Sequence, residues 1–315
     1  MPETPPTSPY SADGSPLPGV ARLRWDIGNG RRIDTPGPVL MAVLNMTPDS
    51  FSDGGDLATP AQALARATEA AEQGADIIDI GGESTRPGAQ RVSDDEQIAR
   101  TVPAVRAIRE AGLRIPVSID TTRAPVARAA LDAGADIVND VSAGLDDPDL
   151  LPLIAERGAA AVLMHRDRPP EDDVYSDEYA AAPRYTGGVV RAVHRALSEA
   201  VDRAVAAGVP EQRVVVDPGL GFGKSVAQNM ELIASCRSFA GLCAGMLVGA
   251  SRKSFVGALS FVPDPAERAC GSVGAAVAAR LAGAHILRVH DVREHYEALR
   301  IVHGVQHPDL IFEPH

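Results

Sequence analysis

The chain has 315 residues, 42 acidic against 30 basic side chains for a net charge of −12, 45% hydrophobic residues and only 4% aromatics. That balance argues against generic binding to nucleic acid or anionic membranes, so an anionic substrate needs a local basic pocket. No apolar run approaches the roughly 20 residues of a membrane span, the N-terminus lacks the basic-then-apolar layout of a signal peptide, and Cys236, Cys243 and Cys270 follow neither zinc nor disulfide spacing. Reduced thiols in a cytoplasmic protein are expected.

Residues 1–20 are rich in Pro, Ser, Thr and Gly and predict a disordered tail, with residues 21–315 forming one domain. Leu23, Trp25 and Ile27 alternate up to Gly28-Asn29-Gly30, with Ile33 beyond, which predicts a β-hairpin able to cover the bottom of a barrel. A repeating unit follows: an Ala-rich helix, a Gly, an Ala and a short apolar strand. It occurs at Gly74-Ala75-Asp76, Gly134-Ala135-Asp136, Gly158-Ala159-Ala160 and Gly283-Ala284-His285. The Gly predicts a helix C-terminus with positive φ, and the run after it a buried strand.

Helix starts are marked by Thr59-Pro60 and by capping-box patterns at Ser93/Glu96, Asp264/Glu267 and Asp291/Glu294. Strands are expected near 39–44, 76–80, 115–119, 136–139, 160–164, 213–217, 245–249 and 285–289. A last helix near 291–304 carries Val292, Tyr296, Leu299 and Val302 or His303 on one stripe. Eight βα units in about 290 residues predict an α/β fold of the (β/α)8 TIM-barrel type. A doubly wound open sheet is the alternative.

In a barrel the active site gathers at the C-terminal strand ends. Those ends carry Asn45; Glu83, Thr85 and Arg86; Asp120; Asn139 and Asp140; His165; Asp217; Ser251, Arg252 and Lys253; and Arg288 and His290. Singly, each is a turn former or a solvated charge. Together they predict a polar ring over an apolar floor. Asp120, Asn139 and Asp217 suit a flat, donor-rich heterocycle. Arg86, Lys253, Arg288 and His290 offer cationic donors to an anion, on the side where barrels often bind phosphate. Gly219–Ser225 mimics a P-loop, but three residues separate the outer glycines where four are required, and Pro218 stands in the place of the first Gly.

Leu44-Asn45-Met46-Thr47-Pro48-Asp49-Ser50-Phe51-Ser52-Asp53-Gly54-Gly55 resembles the first signature of the dihydropteroate synthase family, and Asp79-Ile80-Gly81-Gly82-Glu83-Ser84-Thr85-Arg86-Pro87-Gly88 resembles the second. Ser118–Thr121, Ile137–Asp140, Leu163–His165, Asp217–Gly219, Ser251–Ser254 and Arg288–Val292 follow in the family's order, so the resemblance covers about residues 37–304. It implies a transferase that joins p-aminobenzoate to 6-hydroxymethyl-7,8-dihydropterin pyrophosphate, giving 7,8-dihydropteroate and pyrophosphate. By this match the pterin is held by Asp120, Asn139, Met164, Asp217, Phe222, Gly249 and Lys253. The p-aminobenzoate pocket is Phe51, Thr85, Pro87 and Ser251, where sulfonamides would compete. The pyrophosphate is held by Asn45, Arg86, Arg288 and His290, with Mg²⁺ on Asn45. Asp120, Asp217, Lys253 and Arg86 carry the catalysis.

The family is typically a homodimer packed through late barrel helices. The chain departs from the family pattern after His165, where the segment to Gly188 is read as a longer, exposed loop without a role. Rival readings are a methyltetrahydrofolate-binding methyltransferase domain and a non-catalytic pterin-binding relative.

Overall fold

The computed structural model describes residues 22–47 and 59–306; the expected tail and Phe51 lie outside them. β1 (Leu23–Gly28) and β2 (Arg31–Thr35) form an antiparallel hairpin in which Trp25 faces Ile33. Eight parallel strands then close into a barrel in chain order: β3 (Val39–Asn45), β4 (Ile77–Gly81), β5 (Val117–Asp120), β6 (Ile137–Asp140), β7 (Ala160–Met164), β8 (Val214–Asp217), β9 (Gly245–Val248) and β10 (Ile286–Val289), with β10 pairing back onto β3. The helices are α1 (Pro60–Glu72), α2 (Asp94–Glu110), α3 (Ala124–Asp132), α4 (Leu150–Arg157), α5 (Val189–Ala206), α6 (Val226–Ala234), α7 (Cys236–Phe239), α8 (Ser254–Ser260), α9 (Ala269–Leu281) and α10 (Val292–Gln306). The closed barrel, not the open sheet, is the architecture.

Side chains alternate along each strand, so one set packs outward on the helices and the other fills the barrel. Ile78 and Ile80 pack outward among Ala63, Ala67, Val105 and Ile108. Ile77 points inward with Met41, Ile137, Val162, Val215, Leu247 and Ile286, and this floor is sealed by Leu23, Trp25 and Ile27 of the hairpin. Trp25 is fully buried, and its indole N–H donates to Arg213 O at 3.0 Å. Arg213 in turn donates to Asp26 at 2.9 Å and to Gly158 O at 2.8 Å, tying the hairpin to the start of β7.

The repeat has a second function at that end. In three of the four repeats the residue after Gly-Ala accepts a backbone N–H from the preceding strand: Asp76 from Leu40 at 2.7 Å, Asp136 from Val117 at 2.9 Å, and His285 from Met246 at 3.2 Å. Strand starts have N–H groups that the ladder does not satisfy, and buried donors need partners. The polar residue supplies them. In the fourth repeat Ala160 cannot. The four repeat glycines all have positive φ. At Gly74 (φ +102°) a Cβ would also stand 2.3 Å from the Tyr296 ring, so only Gly fits.

Three expectations about helices change. The buried stripe of α10 is Val292, His295, Leu299, His303 and Gln306, with Tyr296 37% exposed and lying across Gly74. Asp264 caps a single 3₁₀ turn through Ala266 N rather than an α-helix. Asp291 directs its carboxylate at Arg252.

Trp25→Ala should cost about 3–5 kcal/mol, the usual range for truncating a buried Trp. The expected outcome is a lower urea midpoint with an unchanged slope, read by circular dichroism because this is the only Trp in the chain.

Candidate active site

The inward positions at the C-terminal strand ends converge on one cleft, lined by Thr85, Asp120, Asn139, Val141, Met164, Asp217, Phe222, Gly249, Ser251, Lys253, Arg288 and His290. All but Val141 are expected site residues. Val141, Met164 and Phe222 form a separate apolar cluster, so an apolar face lies beside a ring of hydrogen-bonding groups. Asn45 borders the same rim: a Cβ on Gly81 would lie 3.5 Å from Asp120 Cβ and 3.6 Å from Asn45 Oδ1. Arg86 is exposed on the loop after β4 and Pro87 is half-buried; neither lines the cleft.

Asp217 ends β8 and is almost fully buried; its Oδ1 accepts the Gly219 N–H at 2.7 Å. Burial pushes its carboxyl above the ordinary range, opposed by Lys253 and by that N–H. Lys253 lies 4.6 Å above the centre of the Phe222 ring and donates to Leu220 O. Burial lowers its ammonium to about 8, with Asp217 opposing. The two groups share one low-dielectric space, and each resists the other's neutralisation.

The expected split between a carboxylate side and a cationic side is not kept. Arg288 crosses the barrel mouth and donates from Nε to Asp79 at 2.7 Å and from Nη2 to Asp120 at 2.8 Å. Burial raises Asp120 above the carboxylate range, with Arg288 opposing and Asp79 adding to the rise. His290, by contrast, is not a cation. Burial, with Arg288 and Arg252 nearby, lowers it to about 3, so it is a neutral ring whose Nδ1 lies 3.0 Å from Ser251 Oγ.

Four strand-end residues work on the scaffold. Arg252 adopts φ +60° and makes a two-pronged ion pair with Asp291. Glu83 accepts Val92 N at 2.6 Å, and Asp140 accepts Ser142 N at 2.7 Å. His165 contributes its carbonyl to Lys224. Lys224 itself is fully buried, and it donates to three carbonyls: Gly219 O at 2.9 Å, Phe222 O at 2.7 Å and His165 O at 3.3 Å. The glycine-rich run is therefore a turn built around a buried ammonium, with no phosphate cradle.

The segment after His165 is not a free loop. Pro170, Asp173 and Ser176 are buried. Asp173 accepts Gly223 N at 2.8 Å, and the Tyr185 hydroxyl donates to Gly223 O at 2.8 Å. On its other side Gly88 N donates to Pro170 O at 2.8 Å, and Arg91 pairs with Glu171 at 2.9 Å. The segment braces the loop after β4 against the loop after β8.

Asp79 is the polar residue that the sequence reading missed. Its signal is a carboxylate inside the apolar run Ile77-Ile78-Asp79-Ile80, one inward step below the strand end. A charge there requires a buried partner, and Arg288 is that partner.

Residues 41–290 match the model of the pterin binding enzyme family. A dihydropteroate synthase of Synechocystis sp. is 43% identical over 253 residues, spanning 80% of this chain and 85% of that protein. Among solved structures, Xanthomonas albilineans dihydropteroate synthase with 4-aminobenzoic acid superposes with a TM-score of 0.81 at 40% identity, covering 91% of this chain and 99% of that one. The same organism's enzyme in complex with 7,8-dihydropteroate superposes at 0.74 and 35% identity, covering 90% and 98%.

Gly219 has φ +67°, and a Cβ there would lie 1.8 Å from His165 O. Gly219→Ala should cost at least about 1–3 kcal/mol and appear as a lower Tm in calorimetry. Gly241→Ala, where a Cβ meets open space, is the control expected to leave Tm within a degree or so.

Proposed function

The chain belongs to the pterin-binding enzyme family and, within it, to the dihydropteroate synthases, and we propose that its strand-end cleft joins p-aminobenzoate to 6-hydroxymethyl-7,8-dihydropterin pyrophosphate. The products are 7,8-dihydropteroate, for folate synthesis, and pyrophosphate. The observation that carries this reading is the cleft itself: buried Asp217, Asp120 and Asn139 beside the Met164–Phe222 face, with Lys253, Arg288 and His290 on the same rim.

An aminopyrimidine edge presents adjacent N–H donors, and an ionised carboxylate is an acceptor only. Asp217, oriented by the Gly219 N–H, takes that edge. Asp120 and Asn139 accept from the remaining ring groups. Lys253 donates to the carbonyl and N5 side, Gly249 leaves room for the ring, and Met164 and Phe222 sandwich it. Thr85, Pro87, Ser251, the stem of Lys253 and Phe51 form the p-aminobenzoate pocket, which is also the sulfonamide site. Asn45, Arg86, Arg288 and His290 hold the pyrophosphate.

The reaction breaks the C–O bond to pyrophosphate and forms a C–N bond to the aniline nitrogen, which then loses a proton. Positive charge builds on the pterin as pyrophosphate departs with the bonding electrons. Asp120 and Asp217 stabilise that charge, Arg86 and Arg288 stabilise the leaving anion, and Lys253 and the apolar walls hold the two partners for attack. No side-chain nucleophile is required.

Mg²⁺ fits this donor set as a pyrophosphate-borne ion. No cluster of three His, Cys, Asp or Glu suited to a metal occurs among the described residues. Asn45 at the rim would supply one oxygen, enough for an ion that keeps waters and takes phosphates as ligands. When bound, the ion neutralises charge on the leaving group.

A homodimer through the late helices is supported by apolar exposure there. Phe261 is 91% exposed, and Leu259, Leu281, Ile301 and Val305 are also exposed. No helix among the described residues is long and apolar enough to cross a membrane. Cys236 and Cys243 are unpaired thiols, raised by burial to about 12 and about 11 respectively, which supports a reducing, cytoplasmic setting.

With Mg²⁺ and both substrates, dihydropteroate and pyrophosphate should appear in equal amounts. Pterin binding without either product would favour the methyltransferase or binding-only reading. Asp217→Ala should weaken pterin binding roughly 100-fold, as expected for truncating a buried charged partner, and calorimetry reads it directly.

The pH profile of kcat/KM for the pterin substrate should be bell-shaped. Activity is lost on the acid side as Asp120 and Asp217, both raised by burial, gain protons at a pH above the ordinary carboxylate range. It is lost on the alkaline side near pH 8 as Lys253 gives one up. Lys253→Arg should move only the alkaline limb, and upward, because a guanidinium stays charged; an unmoved limb would remove Lys253 from that role.

A further inference from the structure

Asp79 is fully buried on β4 and is not one of the residues lining the cleft. It stands in register with Val43 and Ser118, one inward position below Gly81. Its Oδ2 accepts Arg288 Nε at 2.7 Å and Asn139 Nδ2 at 3.1 Å. Its Oδ1 has no hydrogen-bond partner. A carboxylate in an apolar strand carries a heavy desolvation cost. Here the side-chain hydrogen bonds all go to the side chains of two cleft residues and none to a backbone group of a strand, cap or turn. What it holds in place is therefore the side chains of the cleft, Arg288 as an ion pair and Asn139 as a hydrogen-bond donor.

The effect on Asn139 follows from the amide's asymmetry. One end donates and the other accepts. A carboxylate can only accept, so it draws Nδ2 downward; the reverse orientation would set two acceptors face to face. The Oδ1 end is thereby turned toward the cleft, beside the acceptors Asp120 and Asp217. The effect on Arg288 is similar in kind. Nε on Asp79 and Nη2 on Asp120 fix the plane of the guanidinium at two points.

We infer that Asp79 is a positioning residue that sets the hydrogen-bond polarity of the cleft, holding Asn139 as an acceptor so that the site selects a heterocycle edge that donates. The inference rests on the pterin reading above and deepens it. It assigns part of the substrate selectivity to a residue that never touches the substrate. Replacing the 2-amino group of a pterin by an oxo group turns a donor into an acceptor. The 2-amino group has two N–H bonds, one directed with the ring N–H at Asp217 and the other at Asn139, so wild-type Asn139 meets the new oxygen with its own, while the Asp217 contribution is common to all the variants. With Asn at position 79 the constraint is lifted, because an amide can donate as well as accept, and Asn139 is free to turn and donate.

The test measures dissociation constants of 6-hydroxymethylpterin and of its 2-oxo counterpart, 6-hydroxymethyllumazine, by calorimetry on the full chain. The proteins are wild type, Asp79→Asn, Asn139→Ala and the double variant. Each ratio of constants is independent of the fraction of active protein, so partial misfolding does not distort it. The expected result is a preference for the pterin that falls by about tenfold in Asp79→Asn, the weight of one good hydrogen bond. It should fall comparably in Asn139→Ala, and no further in the double variant. A full preference retained by Asp79→Asn overturns the inference. Should that variant not fold, a full preference retained by Asn139→Ala overturns it equally. A wild-type chain that binds neither probe overturns the pterin reading itself, and that result is visible before any substitution is compared.

Discussion

The mouth of the barrel holds more charge than water can reach. Asp79, Asp120 and Asp217 are buried or nearly so, as is Lys224, while Arg288 keeps only a fifth of its side chain exposed. Unpaired, any one of these groups would cost several kcal/mol to bury. The carboxylates and Arg288 are tolerated because Arg288 bridges Asp79 at 2.7 Å and Asp120 at 2.8 Å, and because Lys253 opposes the neutralisation of Asp217 through space. A barrel closed below by an apolar floor gives these charges only one direction in which to find solvent or a ligand, which is upward into the cleft. Pterin recognition is what remains of that mutual neutralisation once the protein's own pairs are satisfied.

Lys224 shows how far the scaffold goes to hold this arrangement. Burial lowers its ammonium to about 7, yet its three bonds go to carbonyls rather than to a carboxylate. Those carbonyls belong to the end of β7 and to the turn that carries Phe222. The same turn is gripped from outside by Asp173 and Tyr185. Phe222 and the Gly219 N–H that orients Asp217 are thus fixed from beneath and from above. The opposite end of the barrel has a different task. There the hairpin plug, Arg213 and the strand-start acceptors Asp76, Asp136 and His285 close the ladder. Chemistry and stability are kept at opposite ends, as this architecture allows.

Much of this was legible in the sequence because it is periodic. The Gly-Ala-strand repeat announced the barrel, and the polar residues at the strand ends announced the cleft; eleven of the twelve lining residues were expected. What escaped is pairwise. No spacing rule joins Arg288 to Asp79, 209 positions away. Arg288 was therefore read as a free cation, and Asp79 was quoted only as the first residue of a family signature, without a role of its own. His290 was taken as charged because neither its burial nor the through-space effect of Arg288 and Arg252, which together lower it, can be read from the sequence. The segment after His165 looked exposed because its composition is polar, whereas its anchors are single buried groups, Asp173 and Ser176, among exposed ones. Asp291 matched a capping pattern, but Arg252 offers its carboxylate a charged partner, and a charge-assisted pair outcompetes a backbone cap.

These misses share a cause that bears on function. A residue whose position is set by the chain's own periodicity is one that many substitutions leave in place. A residue whose position is set by one distant partner is coupled to that partner's state. Arg288 is the case in point. It is braced on Asp79 below and on Asp120 beside it, and on the proposed reading Asp120 is one of the two carboxylates that meet the pterin. A ligand that draws on Asp120 loosens one of the guanidinium's two anchors and leaves the other, Asp79, in place. The cation then remains at the rim with N–H groups available to a leaving anion, without leaving its plane. On the proposed reading, the brace below the cleft links the two halves of the substrate: a ring drawn to Asp120 frees N–H groups of Arg288 for the pyrophosphate.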